Sequence, residues 1–367
     1  MRPRMQAIYH VRCDARSIEA RARAIAVEQS VEMPLSAIDD AFVRSEIVGR
    51  VEAIAETESG RFEVRISLAA ETAGCDAGQL INMLYGNTSL HEDVVLFDVM
   101  LPHELTRAFG GPRHGLHELR RRAGACARAL TCSPLKPQGL PAGALARLAR
   151  ELVEAGVDYV KDDHALADQA YSPFAARLEA VTAALGGAAG PAGRAARYVP
   201  SLSGDLDEMR RQIAVATAAG VDTVMVAPMI TGFSNFHRLV REHPAIAFVA
   251  HPTMAGAARI APPLLLGKLF RLLGADAVVF PNHGGRFGYS PDICRALARA
   301  ALADRDALRP CVPVPAGGMT GDRVREMLDF YGTEVMLLIG GALLEAREGL
   351  HEATAAFVAA VHGYAHR

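Results

Sequence analysis

Residues 157–164, Val-Asp-Tyr-Val-Lys-Asp-Asp-His, combine side chains that bind metals and move protons. The apolar run at 157–160 predicts a buried strand, and Lys161, Asp163 and His164 follow it closely. Strand ends are where α/β proteins place their chemistry, and these three residue types together can hold a divalent metal ion. A solvated loop with helix-capping carboxylates would have the same residues, so this stretch alone leaves both interpretations open.

Lys136 is a second lysine at a predicted strand end, in Leu-Lys-Pro-Gln-Gly-Leu. Two lysines within one ring of strand ends are costly unless one is neutral, carbamylated or paired with a carboxylate. Lys136 facing Lys161 and Asp163 therefore predicts a proton-transfer site. His251, in Ala-His-Pro-Thr-Met, is a second acid/base, a phosphate contact or a packed polar residue.

Two glycine pairs and one arginine suggest a phosphate site. Gly317-Gly318 and Gly340-Gly341 follow two further predicted strands, and Arg286 lies in a glycine-rich loop. Glycine lets backbone N–H groups approach a phosphate closely, and helix N-termini behind such pairs favour an anion. The alternative is that tight turns between strand and helix simply require small residues.

The elements that must position these residues alternate regularly after residue 129. Apolar runs predict eight strands, at 129–135, 157–160, 196–200, 222–227, 245–250, 276–280, 312–316 and 335–339. Amphipathic stretches predict helices at 142–155, from near 172, and at 205–219, 262–273, 291–304, 321–331 and 348–362. A doubly wound sheet usually has fewer strands and a glycine-rich first turn, and no GxGxxG follows 129–135. We therefore predict an α/β protein whose residues 121–367 form a (β/α)8 TIM barrel.

Residues 1–120 show another pattern and predict an N-terminal α+β domain of the ferredoxin-like type. Strands are expected at 6–13, 62–69 and 94–99, and helices near 17–29 and 77–83. Residues 113–128 predict a helix linking the two domains, and 183–194 a surface loop rich in glycine and alanine.

Composition excludes several classes of protein. The net charge is −2 with acids and bases interspersed, so no basic surface for nucleic acid is expected. No apolar run approaches the roughly 18–20 residues of a membrane span, and no secretory signal is recognisable, so we expect a cytoplasmic protein. The six cysteines show no CxxC spacing and are expected to be free thiols.

Together these motifs resemble the large subunit of ribulose-bisphosphate carboxylase (RuBisCO). They resemble more closely the form IV, RuBisCO-like proteins, which lack carboxylase activity. The resemblance rests on segments 82–87, 109–115, 135–140, 160–164, 251–254, 285–286, 316–318 and 340–341, which occur in the family's order. It implies that CO2 carbamylates Lys161, which then holds Mg²⁺ with Asp163 and His164. It also implies a homodimer with shared active sites, which Asn87 and Glu28 of one subunit reach in the other.

The departures from the family pattern bear on function. His164 replaces a glutamate ligand, and imidazole favours Mn²⁺ or another divalent metal over Mg²⁺. Gln138 and Arg286 replace lysines of the carboxylases. Pro252 and Val279 replace the residues that hold the substrate's second phosphate. A sugar monophosphate is therefore expected, and CO2 fixation is not.

The resemblance is closest to members that isomerise 5-methylthioribulose 1-phosphate to 1-methylthioxylulose 5-phosphate in sulfur salvage. In that reaction a metal polarises a ketone and a base removes the adjacent proton. Lys136, Lys161 and His251 are the expected catalytic residues, and Arg286, Gly317, Gly318, Gly340 and Gly341 the phosphate site. Val279, Pro252, Met225 and Met229 could line an apolar pocket, although buried methionine is more often core.

Three alternatives remain open. One is decarboxylation or carbon–carbon hydrolysis of a branched 3-keto sugar-acid phosphate, for which Arg286 or Arg259 could hold the substrate carboxylate. Another is enolisation of 2,3-diketo-5-methylthiopentyl 1-phosphate. The third is an inactive regulatory homologue.

Overall fold

The computed structural model describes residues 2–188, 190, 196–304 and 308–364. They form two compact units. The smaller contains the chain up to Gly111 together with Met254–Leu265, and the larger contains Pro112–Thr253 and most of the remaining C-terminal chain. In the part of the chain that the structure describes, every helix is too short or too polar to traverse a lipid bilayer.

The smaller unit is an antiparallel sheet with helices between its strands. Its strands are β1 (Arg4–Arg12), β2 (Arg50–Glu58), β3 (Arg61–Ala69) and β4 (Val94–Met100), and its helices are α1 (Ile18–Glu28), α2 (Ala77–Tyr85) and α3 (His103–Phe109). The sheet order β2-β3-β1-β4 gives the split βαβ arrangement of ferredoxin-like domains. The predicted α+β domain is therefore confirmed.

Strand β2 is absent from the sequence prediction. It lies at the edge of the sheet, and nearly all of its residues are exposed. An edge strand that buries so little surface needs few apolar side chains. The alternation of apolar and polar residues that predicts a strand is therefore weak in its sequence.

The larger unit contains the predicted eight-stranded parallel sheet. Its strands are β5 (Leu130–Leu135), β6 (Tyr159–Asp162), β7 (Arg197–Val199), β8 (Thr223–Val226), β9 (Ala247–Ala250), β10 (Ala277–Pro281), β11 (Val312–Ala316) and β12 (Met336–Leu338). They pair in the order β7-β6-β5-β12-β11-β10-β9-β8. A parallel bridge between Ser201 and Met225 joins the two ends of this order. The (β/α)8 barrel is confirmed.

One helix precedes the first barrel strand, and the others follow strands around the barrel. They are α4 (Gly115–Arg122), α5 (Ala142–Glu154), α6 (Phe174–Gly186), α7 (Leu206–Ala218), α8 (Pro228–Thr231), α9 (Phe233–Glu242), α10 (Phe270–Leu272), α11 (Pro291–Leu302), α12 (Val324–Tyr331), α13 (Gly341–Leu344) and α14 (Leu350–His362). A π-helical segment, Pro263–Leu269, leads into α10.

Two predictions about these connections need correction. The loop predicted for 183–194 begins later, because α6 continues to Gly186; of the rest, 189 and 191–194 lie outside the described residues. The prediction also lacks α9, although its buried Phe236, Leu239 and Val240 have helical i, i+3, i+4 spacing. This apolar spacing is the feature of the sequence that could have predicted α9.

Alternate strand residues pack with α4 in one buried core. Leu116 and Leu119 of α4 join Leu130, Tyr159 and Val312 in this cluster. The Tyr159 hydroxyl also donates a hydrogen bond to the backbone O of Leu119, at 2.8 Å. Helix α4 precedes β5 and lies against the barrel interior, which leaves the carboxyl ends of the strands for chemistry.

Candidate active site

Lys136 and Asp163 form an ion pair just beyond two neighbouring strands. In the parallel pairing of β5 with β6, Leu135 lies opposite Asp162. Lys136 and Asp163, the residues that follow this pair, therefore leave the two strands side by side. Lys136 Nζ lies 3.1 Å from Asp163 Oδ1. The Lys136 side chain keeps 35% of its surface exposed, whereas that of Asp163 keeps 11%. A lysine held by a carboxylate yet open to a substrate suits acid–base chemistry.

Lys161 is buried on β6, next to this pair. Its Nζ donates a hydrogen bond to the backbone O of Asp162 at 2.7 Å. Burial lowers the pKa of the Lys161 amine, because the charged form loses its hydration there. A lowered pKa favours the neutral amine, which is the form that reacts with CO2.

The two aspartates that follow Lys161 have different roles. Asp162 is fully buried and accepts hydrogen bonds from Arg177, from the Tyr198 hydroxyl and from the Ser201 backbone N–H. Successive strand residues point to opposite sides, so Asp163 faces Lys136 instead. The structure thus assigns Asp162 to the scaffold and Asp163 to the site.

Asp163 is held as a carboxylate. Burial acts to raise its pKa, but hydrogen bonds from His164 and Lys136 outweigh burial and keep the pKa well below its usual range. The Nδ1 atom of His164 lies 3.2 Å from Asp163 Oδ1.

His251, just after β9, stacks on His164. The two rings are nearly parallel, at an interplanar angle of 5°, with centroids 4.5 Å apart. His251 Nδ1 forms a 2.6 Å hydrogen bond with Thr253 Oγ1. Burial, followed by the charges of Lys161 and His164, lowers the pKa of His251 to about 2. His251 is therefore neutral and adds no positive charge to the site.

The loop after β10 packs closely on the glycines after β11. Gly317 and Gly318 have positive φ angles of 79° and 67°. A Cβ on Gly318 would lie 2.4 Å from Gly285 Cα, which is closer than two non-bonded carbon atoms can approach. Glycine is therefore required at position 318 by backbone packing, whatever ligand binds there.

The two glycines of the second pair, Gly340 and Gly341, have different surroundings. A Cβ on Gly340 would lie 2.7 Å from Pro134 Cγ, whereas one on Gly341 would have no described neighbour within 4 Å. Gly341 has room for a methyl group, so packing does not require glycine at this position. Its small size would instead leave space for a ligand.

This difference gives a paired test of the two glycines. Gly318→Ala is expected to destabilise the fold by about 1–3 kcal/mol because of its backbone strain. Gly341→Ala should leave stability within about 0.5 kcal/mol but weaken inorganic phosphate binding if the backbone here holds a phosphoryl group. Chemical denaturation and phosphate titration measure the two effects. Unchanged phosphate affinity in Gly341→Ala would remove this residue from the phosphate site.

Arg286 belongs to the same loop and is exposed. Its guanidinium carbon lies 4.9 Å from the centroid of the Phe287 ring. A Cβ on Gly317 would lie 3.5 Å from an edge atom of that ring. Phe287 is thus a neighbour of both Arg286 and Gly317, and a cation–π contact orients Arg286.

A metal at this site would need a ligand beyond the unmodified side chains. No group of three His, Cys, Asp or Glu residues suited to a metal occurs within residues 2–188, 190, 196–304 and 308–364. Asp163 and His164 supply two donors, and a carbamate on the buried Lys161 amine would supply a third. With that modification, the donor set fits a divalent cation.

Comparison with known proteins places the chain in a family. Residues 115–363 match the family described as ribulose bisphosphate carboxylase large chain, catalytic domain. A crystal structure of a RuBisCO-like protein from Rhodopseudomonas palustris superposes with a TM-score of 0.93 at 53% identity, covering 100% of both chains. The chain is a RuBisCO-like protein.

Two relatives of this RuBisCO-like protein carry more specific names. A 5-methylthioribulose-1-phosphate isomerase from Rhodospirillum rubrum is 59% identical, over 100% of this chain and 98% of the relative. A 2,3-diketo-5-methylthiopentyl-1-phosphate enolase from Geobacillus kaustophilus is 31% identical, over 81% of this chain and 74% of the relative. The family therefore contains proteins named as isomerase and as enolase.

The structure brings together the predicted chemical residues of the RuBisCO-like site. The contacts described above link Lys136, Asp163, His164 and His251. The buried Lys161 interacts electrostatically with Asp163 and Lys136. Arg286 and Gly317 share Phe287 as a neighbour, whereas Gly340 lies beside Pro134.

Two further predicted residues meet in the smaller unit. The Asn87 side-chain amide donates hydrogen bonds to Glu28 at 2.9 Å and to Glu32 at 3.0 Å. The two residues that resemble partner-reaching groups of the family therefore form one polar cluster.

Two of the four residues suggested for an apolar pocket lie in the barrel core. Met225 and Val279 are 1% and 3% exposed and pack within the barrel core. The structure thus gives both residues a packing role.

Sequence reasoning missed the residues that hold the Arg286 loop. The buried Asn282 accepts a hydrogen bond from the Tyr331 hydroxyl at 2.7 Å, and its amide lies against Met319 and Met327. The sequence could have drawn attention to Asn282 because it directly follows an apolar strand. Its partners on α12, Met327 and Tyr331, are evident only from the three-dimensional structure.

Proposed function

We propose that this RuBisCO-like protein is a metal-dependent isomerase that converts 5-methylthioribulose 1-phosphate into 1-methylthioxylulose 5-phosphate. The observation that carries the proposal is the Lys136–Asp163 pair beside a neutral, half-buried His251. Isomerisation along a sugar needs one proton removed and one delivered, with no net loss of atoms. We assign these two transfers to Lys136 and His251.

Each residue has a proposed role. Lys136 exchanges protons with the substrate carbons, and His251 acts as the second acid/base. Carbamylated Lys161, Asp163 and His164 would hold Mg²⁺ or, because of the imidazole, Mn²⁺. Such a cation, when bound, polarises the substrate carbonyl.

The phosphate end of the substrate belongs near the glycine loops. Backbone N–H groups at Gly317, Gly318, Gly340 and Gly341, with the cation of Arg286, would bind one phosphoryl group. Pro252, which follows β9, provides no charge for a second phosphoryl group. A methylthio group is apolar, so it suits that other end of the substrate.

A homodimer completes the proposal. Asn87 and Glu28 are held together by a hydrogen bond, and we assign them to the active site of a second copy of the chain. Alanine at Asn87 should then lower turnover without lowering the free energy of unfolding of the subunit.

An NMR time course tests the reaction. The protein is incubated in D2O with 5-methylthioribulose 1-phosphate and Mg²⁺ or Mn²⁺. Appearance of 1-methylthioxylulose 5-phosphate supports the proposal. Inertness towards this substrate, together with turnover of the 2,3-diketo compound, would favour the enolase named among the relatives. Turnover of a branched keto-acid phosphate alone would favour the decarboxylase or hydrolase, and inertness towards all three the regulatory homologue.

Removal of the metal and CO2 is expected to lower turnover at least about 100-fold, in line with the contribution of a catalytic metal. Activity should return only when bicarbonate and a divalent metal are added together. The Lys161→Arg variant keeps a positive charge but cannot form the carbamate, so it should stay inactive after the same additions. Full activity of the treated wild-type protein without either addition would contradict the carbamate.

A further inference from the structure

Asn282 is a buried polar residue at the start of the Arg286 loop, directly after β10. Its side chain and backbone together are only 1% exposed. Its backbone N–H donates a hydrogen bond to the O of Ala316 on β11 at 2.9 Å, and its own backbone O accepts the Gly285 N–H at 3.3 Å. The backbone of Asn282 therefore ties the loop to the neighbouring strand.

The Asn282 side chain has partners on two further segments. Its Oδ1 accepts the Tyr331 hydroxyl at 2.7 Å, and its Nδ2 lies 3.0 Å from the Met327 sulfur. Tyr331 and Met327 are four residues apart, so they share one face of α12. The same Nδ2 lies 3.1 Å from the sulfur of Met319, which follows the glycine turn, Gly317–Gly318. One amide thus joins the loop, the glycine turn and α12.

These contacts lie in the protein interior, because Met319, Met327 and Tyr331 are buried like Asn282 itself. A buried amide that loses its partners is costly, so the loop cannot move away from α12 without that cost. Sulfur is a weak acceptor. The Tyr331 hydroxyl is therefore the strongest of the three side-chain partners of Asn282.

The Arg286 loop and the glycine turn are in backbone contact. A Cβ on Gly285 would lie 2.7 Å from the backbone O of Gly317, and the contact of Gly318 with Gly285 is described above. Arg286 is the next residue after Gly285. A shift of the loop would therefore move Arg286 relative to the backbone N–H groups of the turn.

We propose that Asn282 is a positioning residue for the phosphate site, and that the Tyr331 hydroxyl holds Asn282 in place. This inference rests on the proposed function, in which Arg286 and the glycine turn bind one phosphoryl group. Asn282 does not touch that group. It fixes the loop that carries Arg286 against the turn, so phosphate affinity depends on a hydrogen bond inside the scaffold.

A pair of tyrosine variants tests the proposal. Tyr331→Phe removes the hydroxyl and keeps the ring. Tyr159→Phe is the matched control, because the buried Tyr159 hydroxyl also donates a single described hydrogen bond, 2.8 Å to the backbone O of Leu119, but packs with α4 in the barrel core. Calorimetric titration of each full-length protein measures its affinity for inorganic phosphate. Mass spectrometry after brief trypsin treatment measures the rate of cleavage after Arg286.

Tyr331→Phe is expected to weaken phosphate binding about fivefold and to speed cleavage after Arg286 by a similar factor, as expected for one lost hydrogen bond. Tyr159→Phe should change neither, although it should lose a similar free energy of unfolding. Met327→Leu keeps the volume but removes one sulfur acceptor. It should shift both measurements in the same direction as Tyr331→Phe, by a smaller factor.

Wild-type phosphate affinity in Tyr331→Phe would overturn the proposal and leave the phosphate site intact. Weaker binding without faster cleavage would also overturn it, because the loop would then have kept its position. Equal effects in Tyr159→Phe would assign the change to a general loss of stability and contradict the proposal. Neither measurement requires turnover, so inertness of the protein as an isomerase leaves the test in force. Absence of phosphate binding by the wild-type protein would refute the phosphate site itself, and this inference with it.

Discussion

Replacement of Lys136 by methionine is expected to lower turnover of 5-methylthioribulose 1-phosphate by about 100- to 10,000-fold, the usual contribution of a general acid/base. Methionine keeps most of the length of the side chain but removes the ammonium that lies 3.1 Å from Asp163. Exchange of the carbon-bound substrate proton with D2O should stop, because the group proposed to remove it is gone.

Gln138→Met is the matched control for this variant. Gln138 lies two residues further along the same loop and is exposed. Within the part of the chain that the structure describes, its side chain makes a single, long hydrogen bond, 3.4 Å to the backbone O of Ala165. Both variants should unfold at nearly the wild-type denaturant midpoint, so a loss of turnover in Lys136→Met alone reports chemistry. Deuterium exchange that continues at the wild-type rate in Lys136→Met would exclude this lysine as the base.

Replacement of Arg177 by methionine is expected to lower the free energy of unfolding by about 3–5 kcal/mol, as is usual when one member of a buried ion pair is lost. The Arg177 and Asp162 side chains are both 0% exposed, with Nε 3.1 Å from Oδ2. Burial already raises the pKa of Asp162 despite the neighbouring guanidinium. Without Arg177, the partners left to the Asp162 carboxylate among the described residues would be the Tyr198 hydroxyl and the Ser201 N–H.

Urea denaturation measures this loss, and Arg211→Met provides its control. Arg211 pairs with Glu208 at 2.6 Å, but its side chain is 51% exposed, so its removal should change stability little. The double variant Asp162→Asn, Arg177→Met should be less destabilised than the sum of the two single changes, because it leaves no unpaired charge. Equal losses in Arg177→Met and Arg211→Met would show that the buried pair is unimportant.

The strands of the barrel were predictable because their apolar runs are buried on both sides of the sheet. The prediction of a strand at 276–280, for example, agrees with β10 to within one residue. Strand β2 and helix α9 escaped prediction for different reasons. An exposed edge strand carries little pattern, and α9 begins directly after the short helix α8, which hides its start.

The local sequence could not separate the roles of neighbouring polar residues. Asp162 and Asp163 are adjacent and chemically identical, yet one pairs with Arg177 inside the scaffold and the other with Lys136 at the site. Gly318 and Gly341 also have the same residue type, but only Gly318 has a backbone pressed against it.

The sequence by itself determined the barrel, the α+β unit and the set of residues at the strand ends, because hydrophobic periodicity and strand-end position are local properties of the chain. The tertiary structure alone decided which of those residues meet. His164 and His251 stack although they follow β6 and β9, which are not neighbours in the sheet. Closure of the barrel brings such distant strand ends together, and no local pattern of residues specifies that contact.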